Sequence, residues 1–193
     1  NTAMLYLHKL HDIDLNNEVR IFDNIEEGKK LMKIASLTKG NLEKEFGEEV
    51  EKIEQLYKYV KIDARKMGKK LVLCHNDVYA PNYLVDKSGK IYLIDWEYAG
   101  CNYEANDIGC ILCRYDWTND QVERYIEHYL GHVPSEDEKR YYYAFIAISG
   151  FYWFCWGLYK GSVGDDDGFF FLPAYHNMKK YLDESLERYR KLG

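Results

Sequence analysis

The chain has 193 residues, 47% of them hydrophobic and 30% charged, with a formal net charge of −6. A chain of this length buries about 70% of its extended-chain surface on folding, which builds a core without disulfides or metal and points to one domain or one large lobe. The composition excludes disorder as the main state, and the acidic balance argues against a general nucleic-acid-binding surface.

The chain opens Asn1-Thr2-Ala3, with neither an initiator methionine nor a signal-peptide pattern, and runs at once into helical text, as a piece of a longer protein would. Leu5, Leu7 and Leu10 set a short helix over residues 3–10. Asp23 or Asn24 caps a second helix reaching about Ser36, with Ile25, Leu31, Ile34 and Ala35 on its buried side. From Glu43 to Met67 the apolar positions Val50, Ile53, Leu56, Tyr57, Val60 and Ala64 recur at helical spacing, which predicts one long amphipathic helix. The period then changes. Leu71–Cys74 reads as a strand. Tyr83–Val85 and Ile91–Ile94 flank the turn Lys87-Ser88-Gly89-Lys90 and read as a hairpin.

After Gly100 the helical pattern returns over residues 104–115, 118–130, 135–159 and 173–192, with Thr118 or Asn119, Ser135 and Asp167 as caps or nearby starts. Gly164-Asp165-Asp166-Asp167-Gly168 reads as a solvated acidic loop. The longest apolar stretch, Ala144 to Tyr159, is 16 residues and contains Ser149, Gly150 and Gly157, so it predicts a buried helix and no membrane span. The five cysteines are odd in number and irregular in spacing, as expected of reduced thiols in a cytoplasmic protein. Cys110 and Cys113 form one Cys-x-x-Cys pair in apolar helical text with no second pair, which predicts buried thiols and not a zinc or redox site. His128 and His132 are four apart but lack the glutamate and third ligand of a zinc protease.

The chemistry concentrates around the hairpin. His75-Asn76-Asp77 is followed by Asn82, five residues beyond the aspartate, and by Asp95 at a strand end thirteen residues later. Each is an ordinary turn residue by itself. Together they match phosphoryl transfer: one aspartate on a rigid loop to face a hydroxyl, with an asparagine and a second aspartate as oxygen ligands for Mg²⁺ on nucleotide phosphates.

The pattern His75-Asn76-Asp77…Asn82 and Ile94-Asp95-Trp96-Glu97-Tyr98 resembles the choline/ethanolamine kinases, within the wider aminoglycoside-phosphotransferase-like group. Cys101-Asn102-Tyr103-Glu104-Ala105-Asn106-Asp107-Ile108-Gly109 extends the resemblance. So do the late helix Phe151-Tyr152-Trp153-Phe154-Cys155-Trp156-Gly157-Leu158 and the opening Leu7-His8-Lys9-Leu10-His11. The resemblance implies an α+β fold, the mostly helical C-terminal lobe of a protein-kinase-like phosphotransferase with a small β-hairpin at the catalytic site. It implies ATP and Mg²⁺ as cofactors and a small amino alcohol as substrate, choline to phosphocholine first and ethanolamine next. Asp77 would be the base that orients the hydroxyl, with His75 and Asn82 beside it. Asn82 and Asp95 would hold the metal, and Asp107 and Glu97 would support the site.

Trp153 and Trp156 would wall the ammonium group, with Asn76 also at the substrate. By spacing alone, aromatics at i and i+3 on such a helix are core; the kinase motif in the same chain favours the pocket, where a quaternary ammonium is held by cation–π attraction. Tyr79, Tyr98 and Tyr115 are further candidates for aromatic walls.

Two departures stand out. Where choline kinases often place an acidic residue, about seven positions after the aspartate of Asp-Ile-Gly, this chain has Arg114, with Asp116 or Asp120 as possible substitutes. A cation there repels a cationic substrate unless it points away. Neither a Gly-rich loop nor a strand with an ATP-holding lysine precedes the motif, so the nucleotide-binding N-terminal lobe is expected to lie outside this chain. Alternative readings are a kinase for an aminoglycoside or other small molecule, and a non-catalytic amine-binding module.

Overall fold

A computed structural model describes residues 2–15, 19–165 and 168–191. Its elements run α1 (Thr2–His11), α2 (Asn24–Lys39), α3 (Leu42–Glu45), α4 (Gly47–Lys66), β1 (Val72–Cys74), a 3₁₀ turn (Ala80–Asn82), β2 (Tyr83–Val85), β3 (Ile91–Leu93), β4 (Gly100–Asn102), α5 (Ala105–Leu112), α6 (Asn119–Leu130), α7 (Glu136–Ser162) and α8 (Gly168–Arg190). The architecture is α+β and mostly helical, as the sequence predicts.

The helix starts follow their caps. Asp23 accepts from the backbone N–H groups of Ile25 and Glu26. Thr118 with Gln121, and Ser135 with Glu138, each close a reciprocal capping box that satisfies otherwise orphaned donors. The core is organised on α7. Residues 140–155 of this helix are buried on every side, because α2, α4, α5, α6 and α8 all pack against it. A helix apolar all round must be enclosed in this way. Its neighbours come close where a side chain is missing: a Cβ on Gly109 of α5 would lie 2.4 Å from the Phe145 carbonyl oxygen, and one on Gly150 would lie 2.9 Å from that of Ala174. Among the described residues, no helix is long and apolar enough to cross a membrane.

Two small antiparallel sheets carry the loops. The hairpin pairs Tyr83 with Leu93 and Val85 with Ile91. The strand Val72–Cys74 pairs with β4, Val72 opposite Asn102 and Cys74 opposite Gly100, a partnership the sequence pattern does not announce. Several expectations need correction. The helix expected over Glu43–Met67 is broken at Phe46, whose ring turns in against Phe154 at 4.9 Å between centroids. On α2, Met32 is buried in place of Ile34, which is 46% exposed. The last helix starts at Gly168, so Pro173 lies inside it. Asp167, expected near that start, and Asp166 of the acidic loop lie outside the described residues.

Candidate active site

The loop leaving β1 is anchored from below by one carboxylate. Asp107, in the first turn of α5, accepts from the backbone N–H of His75 (3.0 Å) and of Asn76 (2.7 Å). His11 of α1 donates its Nε2–H to the same carboxylate at 3.0 Å and meets the Tyr129 hydroxyl with Nδ1 at 2.7 Å. Asp107 is fully buried, and these donors are what make a buried charge tolerable. Cys74 lies close enough to His11 and Asp107 to form a potential metal trio. Its thiol, however, donates toward backbone carbonyls of Asn102 and Tyr103, and burial holds it protonated far above its ordinary range. The trio is closed by hydrogen bonds of its own.

Asn76 and Asp95 are the non-glycine residues with positive φ among those described, at 62° and 66°. Asparagine and aspartate tolerate this region best, and such backbone states concentrate at functional sites. At Asn76 the turn reverses the loop so that its side chain points inward. The amide nitrogen donates to the Tyr98 carbonyl at 3.0 Å, and the oxygen accepts from Asn106 at 2.9 Å and Asn102 at 3.2 Å. Asn76, expected at the substrate, is fully buried and is not among the residues that line the cavity described below. It joins the loop to the core instead: Ser149 of α7 donates to Asn106 at 2.8 Å, and the Cys110 thiol donates to the Asn76 carbonyl. That thiol is also pushed well above its usual range by burial, as is Cys113, up to about 12. Both cysteines are packed, protonated groups.

His75 donates Nε2–H to the Ile94 carbonyl at 2.9 Å and accepts from the Asp77 N–H with Nδ1, while the Trp96 ring packs on it at 4.7 Å. It ties the loop to the hairpin end. Asp77 itself is 5% exposed. One carboxylate oxygen accepts from the Asn82 amide at 3.0 Å, the other from Arg114 at 2.6 Å. Burial pushes its carboxyl above the usual range, and the opposing pull of Arg114 and Asn82 only partly offsets this. The Asn82 nitrogen is spent on Asp77, which leaves its oxygen as the ligand atom. The Ile94 N–H donates to the Asn82 carbonyl at 3.0 Å, which ties the segment carrying the exposed Asp95, just beyond β3, to the loop. An amide oxygen from the loop and a carboxylate from the hairpin are the hard oxygen donor types that suit Mg²⁺.

Asp77 and Asp95 open on a cavity of about 340 Å³. Its lining combines the carboxylates of Asp77, Asp95 and Glu97 with the rings of Trp153, Trp156 and Tyr98, and Tyr79 and Tyr115 are also at its walls. Trp156 donates its indole N–H to the Tyr98 hydroxyl at 3.1 Å, and Trp153 packs edge-on against Tyr98 at 5.6 Å. Asp116 and Asp120 are exposed and do not line the cavity. Arg114 does. It lies in the turn just beyond the end of α5 and reaches into the site, its guanidinium 3.6 Å from the centroid of the Trp153 ring and 4.3 Å from that of Tyr79. Sequence reasoning identified Arg114 as a departure but carried no signal for its direction. It gave no sign of the bracing by His11, Tyr129, Asn102 and Asn106.

Comparison with known proteins agrees with this geometry. The chain is 32% identical over 132 residues to ethanolamine kinase 2 of Rattus norvegicus, covering 58% of this chain and 34% of that protein. It is 28% identical over 202 residues to a probable ethanolamine kinase of Arabidopsis thaliana, covering 90% of this chain and 53% of that protein. The chain therefore spans between about a third and a half of the length of these relatives. Among solved structures, the choline kinase LicA from Streptococcus pneumoniae superposes with a TM-score of 0.69 at 22% identity, over 94% of this chain and 62% of that one. An ethanolamine kinase of Plasmodium vivax gives 0.66 at 21% identity, over 93% and 58%. At such identity these matches establish the fold. The choline/ethanolamine kinase family model matches residues 3–189, nearly the whole chain, and the chain belongs to that family.

Proposed function

We propose that this chain is the helical, substrate-binding lobe of an ATP- and Mg²⁺-dependent kinase that phosphorylates the hydroxyl of a small amino alcohol, choline or ethanolamine. The observation that carries the reading is the convergence of Asp77, Asp95 and an aromatic wall on one cavity. Asp77 orients the hydroxyl and takes its proton as the oxygen attacks the γ-phosphorus; the nucleoside diphosphate leaves with the electron pair of the broken P–O bond. Burial holds the Asp77 carboxyl above its usual range, which makes its carboxylate a better proton acceptor than an exposed one. Asn82 fixes the Asp77 carboxylate through its amide nitrogen, and with Asp95 it would hold Mg²⁺, which when bound neutralises phosphate charge. The nucleotide is gripped by a further lobe outside these residues, in keeping with the partial coverage of the relatives. The five cysteines are free and buried, which fits a reducing, cytoplasmic setting.

The test is amine-dependent ADP release by the full-length natural protein, with choline, ethanolamine and unrelated alcohols as acceptors. Release that requires an amino alcohol and disappears in Asp77→Asn supports the reading. A second reading, an amine-binding module without transfer, is favoured by one observation: both Asp77 oxygens are already engaged, by Asn82 and Arg114. It predicts saturable amine binding with no ADP formed.

A further inference from the structure

We propose that Arg114 selects the class of ammonium alcohol, admitting a primary ammonium and turning away a quaternary one. This rests on the amino-alcohol kinase reading above.

The argument starts from what each headgroup can do. A quaternary ammonium has no N–H. Its binding comes from aromatic faces that meet the cation through their ring quadrupole, and from complementary charge. A primary ammonium carries three N–H donors and is held by oxygen acceptors. In this pocket the aromatic faces nearest Asp77 are already in use. The Arg114 guanidinium lies over Trp153 at 3.6 Å and beside Tyr79 at 4.3 Å, so the chain itself supplies the cation that these rings attract. It is fixed there by the 2.6 Å ion pair with Asp77, and its side chain is only 11% exposed. Its second terminal nitrogen, Nη1, is buried without an acceptor, so Asp77 does not fully answer the guanidinium. A trimethylammonium group brought to Trp153 would meet a planar cation in its place and a like charge beside it.

The rest of the cavity offers oxygen acceptors. Glu97 is exposed to it, next to the Tyr98 hydroxyl, whose own acceptor role toward the Trp156 indole orients it. A headgroup that donates hydrogen bonds gains from Glu97 and Tyr98. A methylated one gains no hydrogen bond there; of the remaining ring faces, those of Tyr98, Tyr115, Trp156 and Phe171, the Trp156 face already has Lys160 over it at 5.3 Å.

The experiment measures kcat/KM with the full-length natural protein for ethanolamine and its mono-, di- and trimethylated forms, before and after Arg114→Leu. The wild type should lose activity stepwise with each methyl, at least tenfold from the first to the last. Arg114→Leu should compress that ratio at least tenfold. The ratio is informative because any general loss from disturbing Asp77 divides out. A wild type that favours the trimethylated alcohol, or a ratio unmoved by Arg114→Leu while turnover persists, overturns the inference and leaves the kinase reading intact. Absence of turnover with every amino alcohol removes the kinase reading first. Should Arg114→Leu fail to fold, Arg114→Gln with tetramethylammonium as the probe gives the same decision. Saturable quenching of tryptophan fluorescence should be absent in the wild type, appear in Arg114→Gln, and vanish again when Trp153→Leu is added. Saturable quenching in the wild type, or none in Arg114→Gln, overturns the proposal.

Discussion

In one region of the site, the loop and hairpin that carry Asp77, Asn82 and Asp95 are positioned by directed hydrogen bonds involving Asp107, His75 and the hairpin backbone. In the other, Trp153 and Trp156 of the long core helix are positioned by ring packing with each other and with Tyr98, and Arg114 joins the two regions. The first region is specified by short-range chemistry. A donor within 3.0 Å of a carboxylate fixes an angle as well as a distance, so the same residue types are needed at the same spacing. The second region tolerates many solutions, because aromatic packing is broad in geometry and modest in energy for each pair. On the proposed function, reaction chemistry would belong to the first region and substrate choice to the second.

Substitutions can break that contrast. The largest expected effect is Asp77→Asn, which removes the base while keeping the shape. Turnover with every acceptor should fall by about 10²- to 10⁴-fold, the usual contribution of a positioned base. Circular dichroism should show the fold retained, and near-normal turnover would remove Asp77 from the chemistry. Next comes Asp107→Ala. It leaves the N–H groups of His75 and Asn76 buried without an acceptor, at a cost of about 1–3 kcal/mol each. Denaturant titration should show that loss, and activity should fall equally for all acceptors. A change in acceptor ranking instead would contradict the division of labour.

Gly109→Ala probes the join between the two regions. The added methyl carbon would press on the Phe145 carbonyl and the Ser149 hydroxyl, at 2.4 and 2.6 Å, and neither is a free side-chain end. Relief requires α5 to shift away from α7, carrying Asp107 with it. The expected cost is about 1–3 kcal/mol, typical of overpacking a tight core. A thermal melt would report it, and an unchanged midpoint would mean that the crossing is looser than the structure shows.

The same contrast explains what the sequence made legible. The spacing of Asp77, Asn82 and Asp95 was readable because each residue sits on a local segment, strand end or turn, whose pattern is itself readable. The hairpin and the main helices followed from periodicity and caps for the same reason. β4 was not, since Gly100-Cys101-Asn102 has no alternation and its partner is 28 residues away across the catalytic loop. The inward turn of Asn76 depends on a positive φ that only the surrounding acceptors justify. The break at Phe46 was hidden because its cause, contact with Phe154 on a distant helix, is tertiary. Arg114 illustrates the limit best: its identity marked it as unusual, but its partner choice between solvent and Asp77 is settled by Tyr79 and Trp153.

A smaller effect sharpens the comparison from the side of the core. The tyrosines around α7 are buried, and burial raises their phenols: Tyr98 at the pocket and Tyr181 beside α7 to about 12, Tyr141 and Tyr142 further still. Their values in the unfolded chain are about 10, and those of cysteines about 8.5. A group whose folded value is raised favours the native state fully below its unfolded value and loses that contribution as pH rises toward the folded one. Stability should therefore be flat through neutrality and begin to fall above about pH 8.5, as unfolded cysteines and then tyrosines release protons that the native state keeps. Thermal midpoints measured from neutral to strongly alkaline pH test the direction. Phenolate absorbance tests the location: Tyr98, beside the open cavity, should ionise at a lower pH than Tyr141 and Tyr142, whose signal should appear only together with loss of helical dichroism. Gradual ionisation of most tyrosines while the helices persist would show that water reaches the α7 core, and the packed region of the site would then owe its position to something other than burial.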